Sequence, residues 1–348
     1  MAFVTGATGL LGNNLVRELV ARGVRVRALT RSVEKAKQQL AELPAEIIAG
    51  DMSNVADFAP ALQGVDTIFH TAAHFRDSYK GGKHWATLYR TNVEGTRELL
   101  SCAYRAGVRQ LVHTSSIAVV TGPKGSLINE SMSRDERNAD DYYRSKILAE
   151  REVTGFLESH PDMWAAMVLP GWMFGPGDAG PTSAGQLVQD FVQRKLPGIP
   201  RATFSVVDAR DVARAMIAVV EYGRRGERYL AAGRYTTVTG ICRCLEKVSG
   251  VKAPSLSLPL PVLYVVGAAF EAWARVSGKP VLMSLASVRL MAQERERTRF
   301  DSSKTERELG IRFRPVEETL RDVVNWYRGN KIGPEPRAKA LGAAGGMQ

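Results

Sequence analysis

Over its first 120 residues the chain alternates short apolar runs with segments whose apolar positions recur at helical spacing. Phe3-Val4 reads as a clipped first strand that begins nearly at Met1, which predicts a frayed start. Leu11, Leu15 and Leu19 then fall at i, i+4 and i+8, one face of a helix, and Gly23 follows as its stop. Residues 24–30, 45–49, 67–71 and 110–114 read as the next strands. A helix over residues 88–106, closed by Gly107, lies between the last two. A further helix over residues 141–158 precedes a strand over 165–169 that ends at Pro170-Gly171. Strands alternating with amphipathic helices predict an α/β fold built on a doubly wound parallel sheet.

Beyond Pro170 the pattern loosens. Gly and Pro crowd residues 171–200, which reads as a loop region over the sheet edge. Residues 204–207 and 228–231 read as short strands flanking a helix over 209–222. Helical spacing returns near 237–249, 262–276, 284–294 and 315–328. The Gly/Ala-rich, basic stretch 331–348 reads as a disordered tail.

At 348 residues the chain can hold one large α/β domain or two modest ones. Lys and Arg total 47 against 36 Asp and Glu, a formal net charge of +11. The basic residues are interleaved with acidic ones, as in Arg151-Glu152 and Glu294-Arg295-Glu296-Arg297, so the charge reads as solvated surface and not as a nucleic-acid interface. The three cysteines, Cys102, Cys242 and Cys244, form neither a disulfide framework nor a metal site, which fits a reducing compartment. A strand starting so near Met1 leaves no room for a signal peptide, and a cytoplasmic protein is expected.

Three features carry chemistry. The first is the turn Thr5-Gly6-Ala7-Thr8-Gly9-Leu10-Leu11-Gly12, directly after a strand and directly before a helix. In that setting Gly6 permits the tight turn, Gly9 a close approach of a pyrophosphate, and Gly12 close helix–strand packing. The phosphates would rest on the free N–H groups of the helix start. This is the dinucleotide site of a Rossmann fold.

The second feature selects the dinucleotide. An acidic residue at the end of the second strand would take the ribose 2′-hydroxyl of NAD. Here the chain reads Leu29-Thr30-Arg31-Ser32, with Lys35 a helical turn later. Arg31 suits a 2′-phosphate through charge-assisted hydrogen bonds, so NADP(H) is expected, with NAD(H) as the alternative. Asp51 and Met52, after the third strand, are placed to meet the adenine edge.

The third feature is Tyr142-Tyr143-Arg144-Ser145-Lys146, which puts Tyr142 and Lys146 at i and i+4 on one helical face. The ammonium is expected to lower the tyrosine pKa and ready it for proton exchange. Thr114-Ser115-Ser116 ends a strand at the edge where ligands sit in such sheets. Strand alternation alone leaves Ser115 and Ser116 both open as the hydroxyl that joins Tyr142.

In these features the chain resembles the extended short-chain dehydrogenase/reductase family, in particular its branch of 3β-hydroxysteroid dehydrogenases and dihydroflavonol 4-reductase-like proteins. The resemblance runs over about residues 2–328 and rests on the order of several motifs. These are the glycine turn, Gly50-Asp51, His70-Thr71-Ala72-Ala73, Thr91-Asn92-Val93-Glu94-Gly95-Thr96, His113-Thr114-Ser115-Ser116, and Tyr142 with Lys146. Pro170, Gly175-Pro176-Gly177-Asp178, Asp208-Ala209-Arg210-Asp211-Val212-Ala213, Phe300-Asp301-Ser302-Ser303-Lys304 and Glu308-Leu309-Gly310 follow. The resemblance implies that Ser116 hydrogen-bonds the substrate oxygen and that Tyr142 exchanges the proton. Lys146 would hold the nicotinamide ribose, and Asn92 would anchor the active-site end of its helix. His70, Thr71, Ala72, Ala73, Thr114, Ser115 and Pro170 would flank the dinucleotide.

The pocket candidates that go with this resemblance are Phe75, Tyr79, Trp85, Ser116, Trp172, Met173 and Phe174. They imply a small hydrophobic substrate: a steroid-, terpenoid-, flavonoid- or lipid-like ketone, aldehyde or alcohol. The implied architecture is a Rossmann core over residues 1–170, to which 204–232 return, with a smaller substrate-binding region from 171–203 and 233–330. Two rivals use the same fold: a nucleotide-sugar epimerase or dehydratase with retained NAD, and a non-catalytic dinucleotide-binding sensor or assembly protein. Arg31 and the apolar run Gly171-Trp172-Met173-Phe174 count against the first, and the presence of both Tyr142 and Lys146 counts against the second. Residues 256–273 are strongly apolar but carry Pro259, Pro261 and Glu271, so a peripheral membrane contact is open and a spanning helix is not expected. Monomer and homodimer both stay open, the helices at 88–106 and 141–158 being the candidate dimer face.

Overall fold

The computed structural model describes the backbone of residues 1–75, 84–277 and 285–329. Tyr79 and the stretch 331–348 lie outside the described residues.

The first half builds one sheet in the order the apolar pattern predicts. β1 (Ala2–Thr5) leads through the glycine turn into α1 (Leu10–Ala21), and β2 (Val26–Thr30), α2 (Val33–Leu40) and β3 (Ala45–Ala49) follow. Next come β4 (Thr67–His70), α3 (Trp85–Leu88), a π-helical segment over Tyr89–Glu94, α4 (Gly95–Arg105) and β5 (Gln110–Thr114). α5 (Asp141–Ser159) leads to β6 (Trp164–Pro170). The second half holds β7 (Trp172–Phe174), α6 (Ser183–Val192), β8 (Ile199–Pro200), β9 (Thr203–Asp208), α7 (Ala209–Tyr222) and β10 (Arg228–Ala231). It continues with β11 (Arg234–Thr237), α8 (Val238–Ser249), β12 (Ser257–Leu258), α9 (Leu260–Ser277), α10 (Leu285–Gln293), α11 (Ser303–Leu309) and α12 (Val316–Tyr327).

Seven strands form a sheet in the order β10-β6-β5-β4-β1-β2-β3, every neighbour parallel. Its strands are apolar on both faces because both are covered. Ala2 and Val4 point to the side of α1 and α7, whereas Phe3 points to the side of α4 and α5. The order in which successive strands are added reverses between β1 and β4, a switch point that opens a crevice at their carboxyl ends.

Smaller sheets complete the second half: β11-β9-β7, and the short pair β12-β8. A third apolar cluster gathers Phe174, Val188, Phe191, Ile241, Leu245, Leu320 and Val323 from β7, α6, α8 and α12. Of residues 204–232, α7 and β10 pack into the seven-stranded layer, while β9 pairs with β7 and β11 apart from it.

Three sequence expectations need correcting. β1 is not frayed: all four of its residues are buried, and Ala2 N–H donates to Arg25 at 2.8 Å. The helix expected over 88–106 begins at Trp85 and is interrupted by the π segment. The stretch 171–200 is not all loop, because it holds β7, α6 and β8; the Gly and Pro residues punctuate these elements. Thr182 caps α6, accepting from Gly185 N–H at 3.3 Å.

Candidate active site

At the crevice the glycine turn is shaped by backbone proximity. Gly6 adopts φ +66°, and a Cβ there would stand 2.9 Å from the Ala72 backbone. A Cβ on Gly12 would stand 2.2 Å from the Gly6 carbonyl oxygen, so the first turn of α1 can close on the loop only as glycine. Gly9 is the exposed cap of α1 and has no side chain to satisfy the helix start; the first turn also lacks an acidic residue. The helical ladder begins with Asn13 N–H donating to the Gly9 carbonyl at 2.9 Å, which leaves the amides of Leu10, Leu11 and Gly12 ahead of it. Free amides at a positive dipole end, with no competing carboxylate, fit the pyrophosphate of a dinucleotide.

The two strand ends beside this turn are tied together. Thr5 Oγ1 accepts from the amides of Thr71 and Ala72, both at 3.0 Å, and Thr71 Oγ1 donates to the Thr5 carbonyl at 2.6 Å. His70 bridges Thr5 Oγ1 (2.8 Å) and Thr96 Oγ1 (3.0 Å). Burial, aided by the charge of Lys146, brings its imidazole down to about 3, so it is a neutral strut. His113, its register partner on β5, is held well below its ordinary value chiefly by burial, with the charge of Lys146 adding to the fall.

At the far end of β2, the Arg31 guanidinium is 78% exposed and stands 3.8 Å from the Asp51 carboxylate. Ser32 caps α2 by accepting from Lys35 N–H at 3.2 Å, which sets Lys35 on the same rim. Thr8 Oγ1 and Thr30 Oγ1 approach to 3.4 Å across the turn. The Met52 side chain is buried in the core, under the helix that bears Gly95.

α5 starts where it does because Asp140 accepts from Tyr143 N–H at 2.7 Å. That cap fixes the face carrying Tyr142 and Lys146. Lys146 is buried and donates through Nζ to the Thr114 carbonyl at 2.9 Å. Ser116 caps the short 3₁₀ turn Ile117–Val119, accepting from Ala118 N–H at 3.1 Å, and its hydroxyl is hydrogen-bonded to the Tyr142 hydroxyl. Ser115 turns the other way, towards the buried Glu150 carboxylate. The two residues left open by strand alternation thus part company, and Ser116 is the one beside Tyr142.

The electrostatics overturn one expectation. Burial pushes the Tyr142 hydroxyl above its ordinary value, Asp140 adds to the rise, and the Ser116 hydrogen bond opposes it. Lys146 does not lower it in this arrangement, because its ammonium is turned to the Thr114 carbonyl. Burial brings Lys146 itself down to about 8, against the pull of Glu150 one turn further along α5. Glu150, paired with Arg228 of β10 at 2.6 Å, is raised by its own burial.

Asn92 sits in the π segment, where its side chain is buried. It donates to Ser145 Oγ (3.0 Å) and to the His74 carbonyl (3.1 Å), and accepts from His74 N–H at 2.7 Å. It therefore joins the helix before α4 to α5 and to the loop after β4. A π turn re-aims a side chain within a helix and recurs at functional sites.

Of the pocket candidates, Phe75 meets Tyr142 edge-on at 4.8 Å between ring centroids. The others diverge. Phe174 is sealed in the core, 1% exposed, because β7 alternates it inward against α6. Met173 points to the opposite face and packs beside α7. Trp85 lies under the Arg144 guanidinium at 4.6 Å. Trp172 donates through Nε1 to Ser183 Oγ at 3.1 Å and packs against Phe204. Phe174, Met173 and Trp85 are thus engaged in packing or surface contacts and not gathered at Tyr142.

Sequence reading missed Glu150 and the buried ion pair of Arg134 with Glu294 (2.9 Å), which lies against Tyr143. Glu150 falls at i+4 from Lys146, a spacing visible in the sequence. Arg134 and Glu294 meet only in the folded chain.

With this geometry in place, the comparisons with known proteins fall into line. The family model of the NAD dependent epimerase/dehydratase family matches residues 2–232. The chain belongs to that family, the extended short-chain dehydrogenases and reductases, whose members bind a nicotinamide dinucleotide. It is 33% identical over 335 residues to a putative dihydroflavonol 4-reductase of Synechocystis sp., covering 94% of each chain. It is 34% identical over 328 residues to sterol demethylase protein B of Methylococcus capsulatus, covering 93% of this chain and 97% of that one. The crystal structure of gox2253 matches it with a TM-score of 0.80 at 32% identity, covering 94% of this chain and 98% of the other.

Proposed function

We propose that this protein is an NADP(H)-dependent oxidoreductase that reduces a hydrophobic ketone or aldehyde, or oxidises the corresponding alcohol, with Tyr142 as the acid or base. The observation that carries this reading is the placement of Tyr142: on the face of α5 that bears Lys146, hydrogen-bonded to Ser116 and edge-on to Phe75. A phenol carries the proton that a carbonyl oxygen needs as it becomes an alcohol. Ser116 would share that oxygen, while Lys146 and Asn92 keep the helix face and the adjoining loop in register. Phe75 supplies an apolar wall that favours a substrate without charge beside Tyr142.

When bound, the nicotinamide cofactor supplies or accepts the hydride. The turn from Gly6 through Thr8, Gly9, Leu10, Leu11 and Gly12 would hold its pyrophosphate. Arg31 with Lys35 would take the 2′-phosphate, and Asp51 with the Met52 backbone the adenine edge. His70, Thr71, Ala72, Ala73, Thr114, Ser115 and Pro170 would line its other side, and Tyr142 with Lys146 would meet the ribose. The exposed Arg31 supports NADP(H) over NAD(H), since an exposed guanidinium fits a phosphate and an acidic residue in its place would repel one. The sterol and flavonoid reactions in the relatives' names support a lipophilic substrate.

The test is NADPH oxidation screened over apolar ketones and aldehydes, with nucleotide sugars as the contrast set. NADPH consumption with an apolar carbonyl, faster than with NADH, is expected. Interconversion of a nucleotide sugar by protein carrying tightly retained NAD, without net use of NADPH, would overturn the reading in favour of an epimerase.

A further inference from the structure

Over residues 260–269, helix α9 is apolar on both of its sides. Its inner side buries Leu263 and Gly267, and Leu263 packs with Leu258 and Val288 in a small cluster between α9 and α10. Its outer side presents Pro261, Val262, Val265, Ala268 and Ala269, all exposed. Val262, Val265 and Ala269 recur at i, i+3 and i+7, one stripe along the helix. Val265 is 71% exposed and Val262 41%, and Leu256, just before the helix, is 57% exposed. These three are half of the six exposed large hydrophobic side chains of the described residues; the other three, Leu127, Tyr222 and Tyr235, lie outside this segment.

A surface helix ordinarily turns polar residues outward, and a contiguous apolar face marks something that covers it. No described helix is long and apolar enough to cross a membrane. An apolar helix of this length meets a bilayer by lying along its surface.

Charge identifies the covering partner. Residues 252–289 carry Lys252, Arg275, Lys279 and Arg289 against the single acidic Glu271, on a chain of net charge +11. Lys252 and Arg289 are both exposed. A second copy would bring the same positive excess against this segment, whereas anionic headgroups would neutralise it. We propose that the outer face of α9, with Leu256 and the flanking Lys252 and Arg289, seats this protein on an anionic lipid surface. The proposal rests on α9 and these flanking residues and not on the reductase reading.

Flotation of the full chain with vesicles tests it, using phosphatidylcholine mixed with phosphatidylglycerol and phosphatidylcholine alone. The protein should float with the anionic vesicles, weakly with the neutral ones, and be released by added salt. The double variant Val262→Glu/Val265→Glu should bind at least about tenfold more weakly. Because both positions are exposed, it should keep the parent's thermal transition. Lys252→Glu/Arg289→Glu should lose the preference for anionic vesicles. No flotation with anionic vesicles, or undiminished flotation of the valine variant, would overturn the proposal. So would sedimentation showing a dimer that only the valine variant dissociates, since a second copy would then be the cover. Flotation is read without turnover, so failure here and failure of the carbonyl screen are separate results.

Discussion

The glycine turn after β1 and the β7 lobe across the crevice from it are built in different ways. At the turn, the working parts are backbone amides and missing Cβ atoms: Gly6 against Ala72, Gly12 against the Gly6 carbonyl, and the free amides ahead of Asn13. Around β7 the parts are side chains, and alternation along a three-residue strand sends Phe174 into one core and Met173 towards another. A backbone site is set by local conformation, so its sequence signal is a spacing of glycines. A side-chain pocket is set by which way each strand faces, so residue type alone says little about it.

That contrast can be broken at several points. Tyr142→Phe removes the proton donor and leaves the glycine turn intact, so turnover should fall by about 10²–10⁴-fold while NADPH binding, read by fluorescence titration, stays within about twofold. Loss of both together would show that the two halves of the site are not separable. Phe174→Ala should cost about 3–5 kcal/mol of stability by denaturant unfolding, because it empties a position 1% exposed. If NADPH affinity falls in step with stability under folding conditions, the lobe and the glycine turn are coupled and the contrast is lost.

Arg31→Asp bears on the cofactor side alone. Removing a charge-assisted contact and setting a carboxylate near the 2′-phosphate should weaken NADPH binding about 10- to 100-fold and improve NADH relative to it. An unchanged NADPH/NADH ratio in steady-state kinetics would remove Arg31 from the site. The smallest effect expected is on pH. Burial lowers Lys146 to about 8, so its ammonium is present below that pH and lost above it. The turnover profile should therefore fall on its alkaline side near pH 8. Glu150 raises the Lys146 value, so Glu150→Gln should move that limb to lower pH. A limb that stays in place would show that Lys146 does not govern it.

Much of the fold was legible before any coordinates. The helix read over 209–222 is α7, residue for residue, because its apolar spacing is clean and Asp208 caps it, accepting from Arg210 N–H at 2.8 Å. The parallel sheet was legible because strands buried on both faces read as unbroken apolar runs. α6 was hidden by the Gly and Pro residues around it. The π segment carries no pattern of its own, since the sequence spacing of an α-helix continues through it. The direction of the Tyr142 shift was misread because the spacing to Lys146 shows that the two share a helix face, not where the ammonium points.

Sequence alone therefore determined the parts of this protein that depend on neighbours in the chain: the glycine turn, the Tyr142 and Lys146 spacing, and the alternation of strands and helices. Local backbone geometry and periodicity decide these, and they are written in consecutive residues. Tertiary structure decided the rest. It turned Ser116 and not Ser115 to Tyr142, set Asn92 between two helices, raised the tyrosine by burial and drew Phe174 into the core. Each of these depends on desolvation and on partners far away in sequence, such as the 53 residues that separate Asn92 from Ser145. No window of the sequence contains both.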